Sequence, residues 1–353
     1  MVLRGGGRVC DREPVSAADP AVAVAAVRRA VRSALDGLPG TAPVLVAYSG
    51  GADSTALLAA ARAVAPDRVH VAVVDHALQD GSAERSAALV AQLIDQGVPA
   101  AVHTVDVNGG GGLEAAARRA RYTALHAARP HPDSPVLLGH TLDDQAETVL
   151  LGLGRGSGAR SLAGMTTWDP PWLRPLLGLR RAETAAACRA QGLEFWDDPH
   201  NVDPRFTRVR LRHEVLPLLE DVLGGGVAEA LARTAAQLRD DGEALDAVAG
   251  ELLARASADR DSQDGVPERA TRGEEGLDAA VLAHAPAAVR RRALRAWLGA
   301  RGVTGLTDLH LRAADDLVGR WRGQGAVMLP QRLELVREHG KLRVRTAAWP
   351  GAR

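Results

Sequence analysis

Three groups of residues have the types and spacing to do chemistry on a phosphate-bearing substrate. The first is Ser49-Gly50-Gly51-Ala52-Asp53-Ser54. Glycines let the backbone approach a ligand, a following helix start offers unpaired N–H groups, and the serines and Thr55 add hydroxyl donors. Asp53 would repel a bare phosphate, so its position suits a Mg²⁺ ion held between carboxylate and phosphate oxygens. The simpler alternative is that Asp53 or Ser54 only caps the helix. The second group is Gly139-His140-Thr141-Leu142-Asp143-Asp144-Gln145-Ala146-Glu147-Thr148. His140, Asp144 and Glu147 recur at helical spacing, so one side of a helix carries an imidazole and two carboxylates able to hold Mg²⁺ or an ammonium group. The same string reads as a helix start with a Thr141–Asp144 capping box, and both readings can hold together. One histidine among carboxylates is a poor zinc set. The third group is basic. Arg205, Arg208, Arg210 and Arg212 follow one another closely, beside Phe206 and Trp196 as stacking surfaces, a density that suits phosphate contacts. A solvated helix face is the competing reading. The same ambiguity holds for Glu114, Arg118 and Arg121, which pair at helical spacing.

These groups need elements to position them. Val44–Tyr48 reads as a buried strand, followed by the glycine turn and a helix over Ala56–Ala63. Arg68–Asp75 is a second buried strand, ending at Asp75-His76-Ala77-Leu78. Helical and strand patterns alternate onward: Glu84–Gln96 helix, Ala101–Val107 strand, a flexible Gly109–Gly112 run, Leu113–Tyr122 helix, Val136–Leu138 strand. Alternation of this kind predicts an α/β fold with a doubly wound, mainly parallel sheet, and ligands bind such sheets outside the carboxyl ends of the strands. Ser49–Ser54 and Asp75-His76 then share one rim. Ala21–Leu35 is a further helix beside the sheet. Arg155-Gly156-Ser157-Gly158 lacks the Walker and Gly-x-Gly-x-x-Gly spacings, so it is no second nucleotide loop. Arg174 lies in the extended segment Trp172–Leu177, set by the proline that follows it. Phe195–Asp203 is a turn-rich loop leading into the arginine cluster.

The expected domain plan has a disordered leader over residues 1–19 and a catalytic domain over 20–222. A connector helix (Val227–Ala254) and polar linker fill 223–276. Residues 277–346 form a smaller, mainly helical domain, with a helix over Leu277–Leu298, exposed Arg290, Arg291, Arg292 and Arg295, and a closing hairpin around Glu338–Lys341. It carries no catalytic constellation.

Composition excludes several classes. Lys plus Arg equals Asp plus Glu at 43 each, so any nucleic-acid surface must be a local patch. Lys341 is the only lysine, which removes Walker-type and Schiff-base lysines from the N-terminal half. Cys10 and Cys188 stand far apart and fit no metal spacing, as expected of a cytosolic chain. That also argues against a thiolase holding an iron–sulfur cluster on Cys-x-x-Cys pairs. No apolar run reaches the length of a membrane span or a signal peptide core.

The Ser49–Ser54 string resembles the pyrophosphate loop of the ATP pyrophosphatases, which split ATP between its α- and β-phosphates. The ordered set of later motifs is similar to the tRNA(Ile)-lysidine synthetases. The set comprises Val74–Leu78, Glu114-Ala115 with Arg118 and Arg121-Tyr122, His140 with Asp143–Thr148, Arg155–Gly158, Arg174–Leu177, and Asp198-Pro199 through Arg212. His200 stands where that family usually has serine, leaving Asn201 and Asp203 in place. The resemblance implies a cytoplasmic ligase that uses ATP and Mg²⁺. It would adenylate C2 of the wobble cytidine in a CAU-anticodon isoleucine tRNA, and the side-chain amine of free L-lysine would then displace AMP. Decoding would change from AUG to AUA. On this reading Ser49, Gly50, Gly51, Ala52, Asp53, Ser54, Asp75 and His76 bind nucleotide. Asp53 and Asp144 hold the metal, Asp144 and Glu147 receive the lysine, and Arg118 or Arg121 stabilises the transferring group. His140 positions nucleotide or base, and Arg174, Arg205, Arg208, Arg210 and Arg212 meet the tRNA backbone. No obligate protein partner is implied, and a homodimer stays open. Two rivals share the loop: a small-molecule amide-forming ligase such as NAD synthetase, which needs neither the arginine cluster nor the second domain, and a non-catalytic nucleotide sensor, which needs no acidic group.

Overall fold

The computed structural model describes residues 20–77, 81–107, 112–156, 158–196, 203–258 and 276–347. The leader over 1–19, Leu78, residues 109–111, Ser157, the loop residues 197–202 with Asp198, His200 and Asn201, and residues 259–275 of the linker lie outside them. The chain divides into two units, Met1–Ala236 and Gln237–Arg353.

The first unit begins with α1 (Pro20–Asp36), β1 (Val44–Ala47), α2 (Ala52–Val64), β2 (Val69–Asp75), α3 (Ser82–Asp95), β3 (Ala100–Thr104), α4 (Leu113–Ala127) and β4 (Val136–Leu137). It continues with α5 (Leu142–Gly154), α6 (Ala159–Leu162), β5 (Trp168–Asp169), β6 (Trp172–Leu173), α7 (Arg181–Ala190), α8 (Thr207–Arg210), a π-helical turn at Leu211–Val215, α9 (Leu216–Val222) and the start of α10 (Val227–Ser257). The sheet order is β3-β2-β1-β4-β6-β5. Every pairing is parallel except β5 with β6. β1 is buried along its whole length, as a central strand covered on both faces must be. One core joins Val27, Val31 and Leu35 of α1 to Leu57 and Ala61 of α2, to Val44 and Val46 of β1, and to Ala187 and Cys188 of α7. A second, on the opposite face, joins Leu45, Ala72, Leu125, Val136 and Leu138, with Tyr122 and Trp172 packed against it. With 3% aromatic residues overall, both are built of Ala, Val and Leu.

The second unit contains the rest of α10, then β7 (Leu277–Asp278), α11 (Ala279–Ala283), α12 (Ala287–Ala300), α13 (Asp308–Gly319), β8 (Val327–Leu329), β9 (Leu333–Glu338) and β10 (Lys341–Thr346). Its strands form an antiparallel sheet in the order β7-β10-β9-β8. Leu252, Leu282, Leu294, Trp297, Leu317 and Leu335 meet in its core. Two expectations are corrected here. Leu277–Leu298 is not one helix: Leu277 and Asp278 pair with β10, the Asp278 carboxylate caps α11, and Pro286 starts the separate α12. Arg290 is not an exposed cation, because it donates to both Asp315 oxygens at 2.7 and 3.1 Å and to the Ala285 carbonyl.

Candidate active site

β2, β1 and β4 are neighbours in parallel register, so their carboxyl ends bring Asp75-His76, Tyr48–Gly51 and Gly139–Thr141 to one rim. The loop after β1 closes on itself. Ser54 Oγ donates to the Gly51 carbonyl at 2.9 Å and accepts from the Ser49 N–H at 3.2 Å, while Ser49 and Ser54 hydroxyls lie 3.2 Å apart. Gly50 has φ +79°, a left-handed conformation that disfavours side chains. Gly51 is the N-cap of α2, and no side chain caps this helix start. Its first-turn donors therefore keep their capacity for an anion. Neither Asp53 nor Ser54 fills the capping role that was the alternative reading.

Asp53 instead turns toward α7. Its Oδ1 accepts from the Thr184 hydroxyl and its Oδ2 from Arg181 Nε at 3.2 Å. The same Arg181 guanidinium donates to Asp144 Oδ1 at 2.8 Å and comes within 3.9 Å of Glu147 Oε1. Asp144 Oδ2 accepts from the Thr141 N–H and hydroxyl at 2.8 and 2.9 Å, so this carboxylate caps α5 and binds a cation at once. Glu147 is fully buried. It accepts from Arg212 Nε at 2.8 Å, and its Oε2 has no hydrogen-bond donor, with Arg208 3.6 Å away. Burial pushes the Asp53 and Glu147 carboxyls up, against the pull of Thr184 and Arg181 on Asp53 and of Arg212 on Glu147. Asp144 pays the same desolvation, but Arg181 and the Thr141 N–H outweigh it and hold its carboxyl below the usual range. Arg181 is desolvated too, and the carboxylates around it raise its pKa regardless.

His140 is not on a helix face. Thr141 is extended (φ −104°, ψ 176°) and α5 starts at Leu142, so the imidazole reaches the rim from the strand-to-helix turn. Its Nδ1 is buried without a partner, and desolvation, opposed by Asp144, drives its pKa to about 3. A cavity next to the loop is lined by Ser49, Asp75, His76, Arg85, Arg121 and Trp196, among others. Asp75 is spent locally, accepting the Ala77 N–H at 2.9 Å. His76 is held neutral by burial and by Arg121, and its Nδ1 is buried without a partner. Burial also lowers the Arg121 pKa. Arg118 lies exposed over the Tyr122 ring, 4.8 Å from its centroid, near enough for its charge to act on Arg121 and His140.

The basic cluster divides. Arg205 and Arg210 are exposed and bonded to Asp203 and Glu214. Arg208 and Arg212 point inward, Arg212 to Glu147 and Asp144, Arg208 to Glu147, Glu114 and the Thr148 hydroxyl. Arg174 is interior, 5% exposed, and donates to the Thr166 carbonyl at 3.0 Å. It is not part of an exposed arginine surface.

Sequence reading passed over Arg181 and Thr184 and gave Gly139 no role of its own. Asp143 Oδ2 accepts the Arg181 backbone N–H at 2.8 Å, and Glu183 bonds the Arg180 N–H at 2.7 Å, which fixes the start of α7 against α5. The Arg180-Arg181-Ala182-Glu183 string, with an acid three residues in, was the available helix-start signal. A Cβ on Gly139 would sit 3.2 Å from the Asp53 carbonyl carbon and the Ser54 nitrogen, so this glycine lets β4 abut α2.

Among the described residues no group of three His, Cys, Asp or Glu side chains is placed to hold a metal ion, and no helix is long and apolar enough to cross a membrane. Residues 25–219 match the family model described as PP-loop domain, and residues 277–343 match that described as TilS substrate binding domain. The chain is 56% identical over 326 residues to the tRNA(Ile)-lysidine synthase of Rhodococcus erythropolis, covering 91% of this chain and 95% of that one. It is 59% identical over 283 residues to that of Mycolicibacterium paratuberculosis, covering 80% and 82%. Among solved structures, the U34-tRNA thiolase NcsA of Methanococcus maripaludis with its [4Fe-4S] cluster matches with TM-score 0.50 at 16% identity. The match covers 67% of this chain and 89% of that one, and it shows the shared fold. With both domains matched and relatives alike over nearly the full length, the chain belongs to the tRNA(Ile)-lysidine synthases, an ATP-using family of PP-loop enzymes.

Proposed function

We propose that this enzyme is a carbon–nitrogen ligase acting on the wobble cytidine of a CAU-anticodon isoleucine tRNA, with ATP and free L-lysine as co-substrates. The cytosine O2 attacks the α-phosphorus of ATP and pyrophosphate leaves; the lysine amine then attacks C2 and AMP leaves. Adenylation is needed because a carbonyl oxygen is a poor leaving group and an adenylate is a good one. The observation that carries the reading is the junction of a phosphate-sized loop with an acidic cluster already arranged around a cation, Arg181. The serines and glycines of the loop cradle phosphate, and Arg121 faces the same cavity to stabilise charge on the transferring group. Asp144 and Glu147 receive the lysine ammonium, whose desolvation in a buried site requires a carboxylate partner. His140, half-buried and held neutral by desolvation, positions the nucleotide or base as an acceptor or donor without competing as a cation. Arg205 and Arg210, exposed and paired to local acids, meet the tRNA backbone.

The donor set fits Mg²⁺ in a limited way. Asp53 and Asp144 are hard oxygen donors facing one cation position, and two carboxylates complemented by phosphate oxygens and water suit this ion. Asp53 and Asp144 would hold it, and when bound it would supply positive charge to the phosphate oxygens. The test is pyrophosphate release from ATP with tRNA and lysine present or omitted in turn, alongside mass analysis of the tRNA nucleosides. Release should require the isoleucine tRNA, and the modified nucleoside should appear only with lysine. Release indifferent to tRNA would overturn the reading.

A further inference from the structure

The acids of the cluster are matched by resident arginines. Asp53, Asp144 and Glu147 supply three negative charges, and Arg181, Arg208 and Arg212 supply three positive ones at 2.8 to 3.9 Å. A lysine ammonium drawn to these carboxylates competes with guanidiniums that already engage them, Arg181 among them. One resident cation must leave before the amine can bind well.

Arg181 is the one that bridges the cluster to the phosphate loop. Arg208 and Arg212 reach Glu147 from the segment that carries them, and Arg212 gives it a close 2.8 Å bond. Arg181 meets Glu147 only at 3.9 Å, and of the three it is the one that pairs with Asp53, at 3.2 Å, on the side of the phosphate loop. Its backbone is anchored separately, through its N–H to Asp143 and through Thr184 to Asp53, so α7 keeps its place when the guanidinium swings. Arg181 Nε already touches Asp53 in the first turn of α2, beside the loop that would carry triphosphate. Nucleotide phosphates there offer the guanidinium a bidentate partner of higher charge than one carboxylate.

We propose that Arg181 is a positioning residue that acts as a transferable counter-ion. It pairs with Asp53, Asp144 and Glu147, passes to the ATP phosphates when nucleotide binds, and so opens Asp144 and Glu147 to lysine only after ATP is in place. This rests on the assignment of Asp144 and Glu147 to lysine. Its consequence is ordered binding: lysine is kept out until the nucleotide with which the reaction begins is present.

The experiment measures binding of radiolabelled lysine to the full-length protein by equilibrium dialysis, with and without adenylyl-imidodiphosphate and Mg²⁺. In the wild type the analogue should tighten lysine binding at least about tenfold. In Arg181→Gln the affinity without analogue should approach that with it, the ratio falling to about threefold or less. Arg181→Lys, which keeps a charge but loses the fork, should fall between, and it serves in place of Arg181→Gln if that variant does not fold. A wild type that binds lysine equally with and without the analogue, or an Arg181→Gln protein that keeps the wild-type ratio, overturns the counter-ion role while leaving the lysine site intact. Unchanged lysine affinity in Glu147→Gln is a different failure: it removes the assigned lysine site, and the counter-ion role falls with it.

Discussion

Asp53, Asp144 and Glu147 have different residue-level environments, and each predicts its own phenotype. Asp53 stands at the start of α2, bonded to Thr184 and Arg181, and none of its bonds supports the fold of its own helix. Asp53→Ala should therefore lower pyrophosphate release by about 100-fold or more, the scale of losing one electrostatic group at a reacting phosphate, while tRNA binding measured by filter retention stays near wild type. Retained turnover would show that the loop has been misread. His140 gives a pH signature. Folded, it stays neutral to about pH 3, whereas an unfolded imidazole takes a proton near 6.5. A depressed folded pKa means stability that is complete above the unfolded value and is lost as the pH falls below it. Wild type should thus lose stability relative to His140→Asn as pH drops from 6.5 toward 4 in urea unfolding. A difference constant across that range would show that the imidazole is accessible to protons in the fold.

At the level of elements, the site depends on how closely β4, α2, α5 and α7 approach. Gly139 is the contact between β4 and α2, and any Cβ there presses on backbone, which cannot rotate aside. Gly139→Ala should cost about 1–3 kcal/mol and, by tilting the first turn of α2, weaken binding of an ATP analogue in calorimetry. Unchanged affinity would mean that the loop tolerates the shift. This contact also marks how far sequence reading reaches. The strand, glycine turn and helix around Ser49–Ser54 were legible because their geometry is set by adjacent residues, and the acids of α5 were legible from helical spacing. Arg181 was not. It lies 128 residues from Asp53 and 37 from Asp144, and only the packing of α7 on α1 and α2 makes them neighbours. The arginines of 205–212 were legible as a cluster but not as two sets. The helical and π-helical turns send Arg208 and Arg212 inward and leave Arg205 and Arg210 outside.

For the whole molecule, two units with separate cores predict separable stability. The core around Leu294 contains only residues from 245 onward. Leu294→Ala, at a fully buried position, should cost the second unit about 2–5 kcal/mol and lower one calorimetric transition, while affinity of the first unit for an ATP analogue stays unchanged. A single transition that shifts as a whole would show that the units unfold together.

What the sequence determined by itself was local chemistry and its order along the chain. Periodicity set the alternation of strands and helices, glycine and hydroxyl placement set a phosphate loop, and helical spacing put Asp144 and Glu147 on one side. Tertiary structure decided which cation sits among the acids, which arginines face them, and that Arg174 is interior. Those are relations between distant segments, fixed by which helix packs on which face of the sheet, and no local spacing rule carries that information.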